Sequence, residues 1–194
     1  MVRASKQEKE NPKAKPLFSF QFLDPRKIIG ELEIKPGMFA AHFGCGVGYF
    51  TFPIAEKVGE NGTVYALDIL EHKIDYMRSQ AKFLGFSNIT AKRADLEKRE
   101  GSGIEKEKAD WVIIINMLFQ NINKSKIIGE AKRILKQNGR ILLVEWNSAD
   151  GIVGPEKSSR VSKEDLIRII RKHGLGIAKE IEIGNFHFGL ILTK

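Results

Sequence analysis

Short apolar segments alternate with amphipathic stretches along most of the chain, from Pro36 onward. Apolar runs of about six residues are typical of buried strands, and apolar residues spaced three or four apart are typical of helices. The pattern predicts strands at 38–43, 63–67, 88–93, 110–115 and 140–145, with helices at 49–58, 71–84 and 124–135. This alternation predicts an α/β fold with a parallel sheet and helices on both faces.

Two further helices are predicted from capping residues. Asp24 followed by Pro25 is a start signal for a short helix through about Leu32. Ser162, three residues before an aspartate, predicts the start of a last helix that ends at Lys172.

The C-terminal residues predict a hairpin. Two apolar segments, 177–183 and 186–192, flank Gly184 and Asn185, a pair that suits a two-residue turn. With this hairpin the predicted sheet has seven strands, which are mostly parallel with an antiparallel strand at the C-terminal end.

Length and composition predict one domain. At 194 residues the chain is long enough for a single α/β core. Residues 1–16 are rich in Lys, Glu, Gln and Pro, which predicts a flexible tail, and residues 17–194 are assigned to the domain. No apolar run is long enough to span a membrane.

The single cysteine and the net charge limit the possible environments and partners. Cys45 has no partner for a disulfide and no companions for a thiolate metal site, so we expect a cytoplasmic protein and no metal. The formal charge of +8 favours nucleic-acid binding only weakly, because the lysines and arginines are spread along the chain beside acidic residues.

A glycine-rich segment follows the first predicted strand. Gly44, Gly46 and Gly48 are placed where the strand turns into a helix, so a ligand could lie against the backbone. Dinucleotide-binding folds use the spacing G-x-G-x-x-G, in which the third glycine allows close packing of helix and strand. Here Tyr49 occupies that position. The spacing therefore argues against a dinucleotide, while an ordinary tight turn stays an alternative.

Aspartates follow the next two predicted strands. Asp68 ends the second strand, where a carboxylate can accept hydrogen bonds from both hydroxyls of a ribose. Asp95 ends the third strand and can face an adenine amino group, with Ile69 and Leu96 on either side of the ring. Either aspartate alone could be a turn or helix cap. Together with the glycines they predict an adenosine site at the carboxyl edge of the sheet.

These segments resemble the class I S-adenosylmethionine (SAM)-dependent methyltransferases, particularly the small quinone-biosynthesis and arsenite methyltransferases. The resemblance extends from about Phe22 to the C-terminus. It implies a Rossmann-like three-layer sandwich, SAM as the cofactor and methyl transfer as the activity. The resemblance rests on the segments 44–48, 64–68, 93–96, 110–119, 130–136 and 138–140.

The resemblance also implies roles for individual residues. The three glycines would line the methionine part of SAM, Asp68 the ribose, Asp95 the adenine, and Asn116 the floor beside the methyl group. The predicted cofactor-binding residues are Phe43, Gly44, Gly46, Gly48, Tyr49, Asp68, Ile69, Asp95, Leu96 and Asn116.

The chain departs from the family pattern at two places. Relatives usually have an acidic residue two positions before the first glycine, where this chain has His42. His42 would either weaken the binding of the cationic end of SAM or point into the core and pack there. Relatives also often have a histidine after the fourth strand, where this chain has residues 117–120 without one. The lone Cys45 disfavours arsenite as the acceptor.

The methyl acceptor is not identified by the sequence, and we expect a small molecule. Aromatic residues of the N-terminal segment and the residues after the fourth and fifth strands would form its pocket, although the phenylalanines and the tryptophan could equally be core residues. His187 is the candidate general base. RNA or protein methylation and a non-catalytic SAM-binding role remain alternatives. The predicted pocket residues are Phe18, Phe20, Phe22, Phe119, Gln120, Trp146 and Asn147.

Overall fold

A computed structural model describes residues 23–147 and 153–194. The predicted tail and the aromatic residues Phe18, Phe20 and Phe22 lie outside the described residues. The helices are α1 (Pro25–Glu31), α2 (Thr51–Val58), α3 (Glu71–Phe83), α4 (Lys124–Ile134) and α5 (Lys163–Lys172). The strands are β1 (Phe39–Phe43), β2 (Thr63–Asp68), β3 (Ile89–Arg93), β4 (Ala109–Ile115), β5 (Leu135–Trp146), β6 (Gly176–Ile183) and β7 (His187–Thr193).

The seven strands form one sheet in the order β3-β2-β1-β4-β5-β7-β6. The neighbouring pairs among β1 to β5 are parallel, and β7 runs antiparallel to both β5 and β6. The strand order reverses next to β1, so the carboxyl ends of β1 and β4 open a crevice there, where open α/β sheets bind ligands. The predicted topology class and the antiparallel C-terminal strand are confirmed.

Apolar clusters on the two faces of the sheet complete a three-layer sandwich. On one face, Ile29 of α1 and Ile54 of α2 pack on β1, β4 and β5, and Met77 of α3 packs beside them on β2. On the other face, Ile128 of α4 and Ile170 of α5 pack on the opposite side of the same strands. The start of α1 agrees with the prediction, because the carboxylate of Asp24 accepts a hydrogen bond from the backbone N–H of Lys27 and so caps the helix.

Two local predictions are wrong. Leu135 begins β5 instead of ending α4, because it pairs with Ala109 across a shift in the register of the β4 and β5 ladder. The hairpin turn has three residues, 184–186, instead of two. The β5–β7 ladder continues into the turn, where the carbonyl of Phe186 accepts a hydrogen bond from the backbone N–H of Asn147 at 2.9 Å.

Candidate functional site

A cleft of about 500 Å³ lies at the carboxyl edge of the sheet. That volume is in the range of small-molecule and cofactor sites. Its lining includes three carboxylates and one ammonium group, so the cleft is acidic in a protein that is basic as a whole. Six of the predicted cofactor-binding residues line it, namely Gly44, Asp68, Ile69, Asp95, Leu96 and Asn116.

The three glycines after β1 have different structural roles. All have positive φ, at +71° for Gly44, +55° for Gly46 and +93° for Gly48, a region that disfavours other residues. A Cβ added at Gly44 would lie 3.0 Å from the Cβ of Met117 in the cleft wall, whereas one added at Gly46 would meet nothing within 4 Å. A Cβ at Gly48 would lie 2.3 Å from the sulfur of Met77 on α3. Gly48 therefore allows the packing of α3 and does not line the cleft.

Asp68 is fixed by backbone donors from both sides of the cleft. Its Oδ2 accepts a hydrogen bond from the N–H of Gly46 at 3.0 Å, and its Oδ1 accepts one from the N–H of Leu70 at 3.0 Å. The side chain is nearly buried and still lines the cleft. Each carboxylate oxygen has a second lone pair, so Asp68 can accept two more hydrogen bonds.

Asp95, Leu96 and Ile69 lie together at the end of the cleft beyond β2 and β3. Asp95 caps its own turn by accepting a hydrogen bond from the N–H of Glu97, and it lies 3.5 Å from the ammonium group of Lys98. Leu96 is buried and Ile69 is half exposed. An apolar surface beside a carboxylate is the arrangement that an adenine ring requires, so the side chains fit the predicted group.

Asn116 follows β4 and combines a left-handed backbone with an unpaired polar atom. Its φ is +49°, and its Nδ2 lies 3.0 Å from Nε2 of His187 on β7. Among the described residues, its buried Oδ1 has no hydrogen-bond partner. Left-handed asparagines concentrate at functional sites, where the surroundings impose the strain.

His42 packs into the core. It is 2% exposed, and its Nδ1 lies 2.8 Å from the hydroxyl of Thr51, the first residue of α2. Burial lowers the pKa of His42 to about 4, although the negative charge of Asp68 opposes the shift. His42 is therefore neutral at physiological pH. Of the two roles that the sequence left open, weakening SAM binding or packing in the core, the geometry supports packing.

Besides Gly48, the predicted cofactor-binding residues Phe43 and Tyr49 also lie away from the cleft. Phe43 is fully buried in the core on the α4 and α5 face of the sheet. Tyr49 points toward α1, where its hydroxyl donates a hydrogen bond to the carbonyl of Leu23 at 3.4 Å. Side-chain direction at these positions depends on the path of the glycine turn, which the sequence alone does not define.

The residues predicted for the acceptor pocket are separated in the structure. Gln120 lines the cleft, whereas Phe119 lines a different depression beside α5. Trp146 lies between the ring of His187, at 4.1 Å between centroids, and Arg160, at 5.8 Å. Burial, with a contribution from the positive charge of Arg160, lowers the pKa of His187 to about 4. The role of His187 as a base stays a prediction, and this pKa makes it a weak base at neutral pH.

Glu145 is a candidate functional residue that was not predicted from the sequence. This residue ends the apolar run of β5 and is fully buried, and its Oε2 has no hydrogen-bond partner in the described part of the chain. Burial raises the pKa of its carboxyl to about 7, against backbone hydrogen bonds that lower it. Perturbed carboxyls of this kind concentrate at functional sites. The signal that identified Asp68, an acidic residue at the carboxyl end of a strand, also applies to Glu145.

Other chemistry has little support in the described residues. Cys45 is buried, and burial raises the pKa of its thiol to about 12, so it is a poor nucleophile. Within residues 23–147 and 153–194, no group of three or more His, Cys, Asp or Glu side chains could hold a metal ion. None of the helices in those ranges has the length and apolar character needed to cross a membrane.

The chain is similar to several proteins of known name. A probable cobalt-precorrin-6B C(15)-methyltransferase (decarboxylating) of Thermoplasma acidophilum is 31% identical over 114 residues, which cover 55% of this chain and 54% of that protein. A demethylmenaquinone methyltransferase of Lactobacillus johnsonii is 25% identical over 124 residues, which cover 62% of this chain and 48% of that protein. The chain thus spans about half the length of these curated relatives.

Structural similarity extends further than sequence identity. The crystal structure of a SAM-dependent methyltransferase from Aquifex aeolicus superposes with a TM-score of 0.81 at 23% identity, covering 88% of this chain and 89% of that one. This likeness shows the shared fold. Residues 34–178, most of the chain, match the family described as a methyltransferase domain. The protein therefore belongs to this family, among the class I SAM-dependent methyltransferases.

Proposed function

We propose that the protein is an enzyme that transfers a methyl group from SAM to a small-molecule acceptor. The observation that carries the proposal is the cleft, which brings Gly44, Asp68, Asp95 and Asn116 together at the crevice beside β1. Membership of the methyltransferase-domain family supports it.

The side chains of the cleft fit the parts of the cofactor. Asp95 with Leu96 and Ile69 would hold the adenine, and the remaining lone pairs of Asp68 would accept the ribose hydroxyls. At Gly44, a side chain would contact Met117 and narrow the cleft, so glycine leaves room for the methionine part. The excess of carboxylates would favour a cationic ligand.

When bound, SAM supplies a methyl group activated by its positively charged sulfur. Gly44, Asp68 and Asp95 would hold SAM so that it could give its methyl group to a lone pair of the acceptor, with sulfur keeping the electrons of the broken carbon–sulfur bond. The chain then has to align the two reactants and exclude water, and it needs no strong acid or base. An acceptor that loses a proton requires a base, for which His187 is the candidate.

A small-molecule acceptor is supported by the names of the relatives. The names of the two curated relatives indicate that they act on a cobalt-precorrin and on demethylmenaquinone. The acceptor would lie beyond Asn116, where β4 and β5 end and β7 begins, next to Trp146 and His187. The proposal that the protein acts in the cytoplasm rests on Cys45, which the structure shows as a free thiol.

Two measurements on matched variants test the proposal. Asp68→Ala should weaken binding of S-adenosylhomocysteine (SAH), measured by calorimetry, by about 1.5–3 kcal/mol, because hydrogen bonds to a charged group are lost. Asp75→Ala, an exposed position on α3, is the control and should leave binding unchanged. Release of SAH from SAM in the presence of candidate acceptors then tests turnover. Binding without turnover across a broad acceptor panel would favour a regulatory protein.

A further inference from the structure

One wall of the cleft is a loop with few internal hydrogen bonds. We call residues 116–123, between β4 and α4, the wall loop, and five of them line the cleft. Within the loop, the N–H of Gln120 donates to the carbonyl of Met117 at 3.3 Å, and the N–H of Asn121 donates to that of Leu118 at 3.1 Å. The shape of the wall therefore depends on groups outside the loop. The five cleft-lining residues of the loop are Asn116, Met117, Gln120, Asn121 and Ile122.

Glu145, on β5, accepts hydrogen bonds from the first half of the wall loop. Its Oε1 accepts a hydrogen bond from the N–H of Leu118 at 2.6 Å and a longer one from the N–H of Phe119 at 3.4 Å. The carboxyl group is fully buried on β5, so it is a fixed attachment point. Hydrogen bonds to a carboxylate are about twice as strong as those between neutral groups.

Glu97 holds the second half of the wall loop from across the cleft. Its Oε1 accepts a hydrogen bond from the N–H of Ile122 at 3.1 Å. Its Oε2 accepts from the N–H of Asn123 at 3.2 Å and from Nδ2 of the same residue at 2.9 Å. Glu97 follows Asp95 and Leu96, which form the opposite wall. Its carboxylate therefore fixes the width of the cleft at that end.

The attachment by Glu145 is costly to the fold. A buried carboxyl with an unpaired Oε2 destabilises the native state, because no hydrogen bond offsets the desolvation of that oxygen. Natural sequences accept such local costs mainly at functional sites. Glu97 is not buried, and three donors of the wall loop converge on it.

We propose that Glu145 and Glu97 are positioning residues that together hold the wall loop in the shape required by the cofactor. The inference rests on the proposed function, because the cleft must bind SAM for the wall to matter. Neither residue is assigned a contact with a reacting atom. Their effect is on cofactor affinity, through the backbone of residues 118–123.

The experiment compares oxygen-free and oxygen-retaining variants at both positions. Glu97→Met and Glu145→Met remove the acceptor oxygens at similar side-chain length, whereas Glu97→Gln and Glu145→Gln retain one. Glu105→Met, at an exposed position between β3 and β4, is the control. We expect each Met variant to weaken SAH binding by about tenfold or more, since about 1.4 kcal/mol corresponds to tenfold. Glu145→Gln, which keeps the oxygen that accepts from the wall loop, and the control should stay within about threefold of the unchanged protein. Glu97→Gln loses an acceptor on one side, so its affinity should lie between those of the unchanged protein and Glu97→Met.

Amide hydrogen exchange supplies a local measurement that a general loss of stability would not reproduce. Exchange should become faster at Ile122 and Asn123 in Glu97→Met, and at Leu118 and Phe119 in Glu145→Met, with the sheet unaffected. Unchanged SAH affinity in a folded Glu97→Met variant with faster local exchange would overturn the inference. If Glu145→Met does not fold, the SAH affinity of Glu97→Met alone tests the inference. An unchanged protein that binds neither SAM nor SAH refutes the proposed function instead.

Discussion

At the residue scale, His42 occupies a position where the family pattern has a carboxylate. Its ring lies against α2, bonded to Thr51, instead of pointing into the cleft. Because its pKa is lowered to about 4 by burial, the imidazole carries no charge that could repel a sulfonium at neutral pH. The replacement is therefore compatible with SAM binding.

The substitution His42→Asp tests this interpretation. It would place a carboxylate in a buried site with Asp68 nearby, so we expect a lower melting temperature and no gain in SAM affinity between pH 6 and 8. Thr51→Val, which removes the same hydrogen bond without adding charge, is the matched control. Tighter SAM binding by the aspartate variant would show that residue 42 acts on the cofactor.

Single residues were predictable where strand ends determine their position. Asp68 and Asp95 each follow a recognisable strand, so their placement beside the cleft could be predicted from the sequence. Tyr49 could not be placed, because its direction depends on three successive left-handed glycines. Glu145 has the same sequence signal as Asp68, and what the sequence does not show is that its side chain is fully buried.

At the scale of elements, the glycine turn connects β1 to α2 and also contacts α3. Gly48→Ala should destabilise the fold by about 2–4 kcal/mol, because its Cβ would overlap Met77 and Phe52 in a backbone region that disfavours alanine. Gly46→Ala meets no neighbouring atom and should cost only the backbone term of about 1 kcal/mol. Urea unfolding of both variants measures the difference, and equal losses would contradict it.

The end of β5 should make the stability of the fold depend on pH. The pKa of Glu145 is raised to about 7 in the native state, so the native state binds its proton more tightly than the unfolded state. The contribution of the Glu145 carboxyl to the free energy of unfolding is fully present below about pH 4.5, and it is lost as the pH rises through 7. The stabilising effect of Glu145→Gln should therefore increase between pH 5 and pH 8, by a few kcal/mol at most. Urea unfolding at several pH values measures this effect. If the difference in free energy of unfolding between Glu145→Gln and the unchanged protein did not vary with pH, this prediction would be wrong.

The main elements could be predicted from the apolar pattern, and their junctions could not. Strands β1 to β4 lie within two residues of the expected ranges, and β1 and β4 show the almost continuous apolar run of buried parallel strands. The start of β5 at Leu135 depends on a register shift against β4, which is a tertiary effect. The length of the hairpin turn likewise depends on the register of β6 against β7, in which Ile183 pairs with His187.

At the scale of the whole molecule, the charge is distributed unevenly. The chain carries a net charge of +8, yet Asp68, Asp95 and Glu97 outnumber the one lysine that lines the cleft, Lys73. The net charge favoured polyanion binding only weakly, and it could not predict an acidic cleft, since composition does not show where charges lie. The assignment of residues 17–194 to one domain stays a prediction, and all the described strands belong to one sheet.

Thermal denaturation with different cofactors tests the central claim most directly. At about one hundred times the dissociation constant, a ligand adds about 2.7 kcal/mol to stability, which for a chain of this size raises the melting temperature by roughly 5 to 10 °C. We predict this stabilisation with SAM and with SAH, in the micromolar range typical of cofactors and substrates, and none with NAD or FAD. Stabilisation by NAD without stabilisation by SAM would contradict the account.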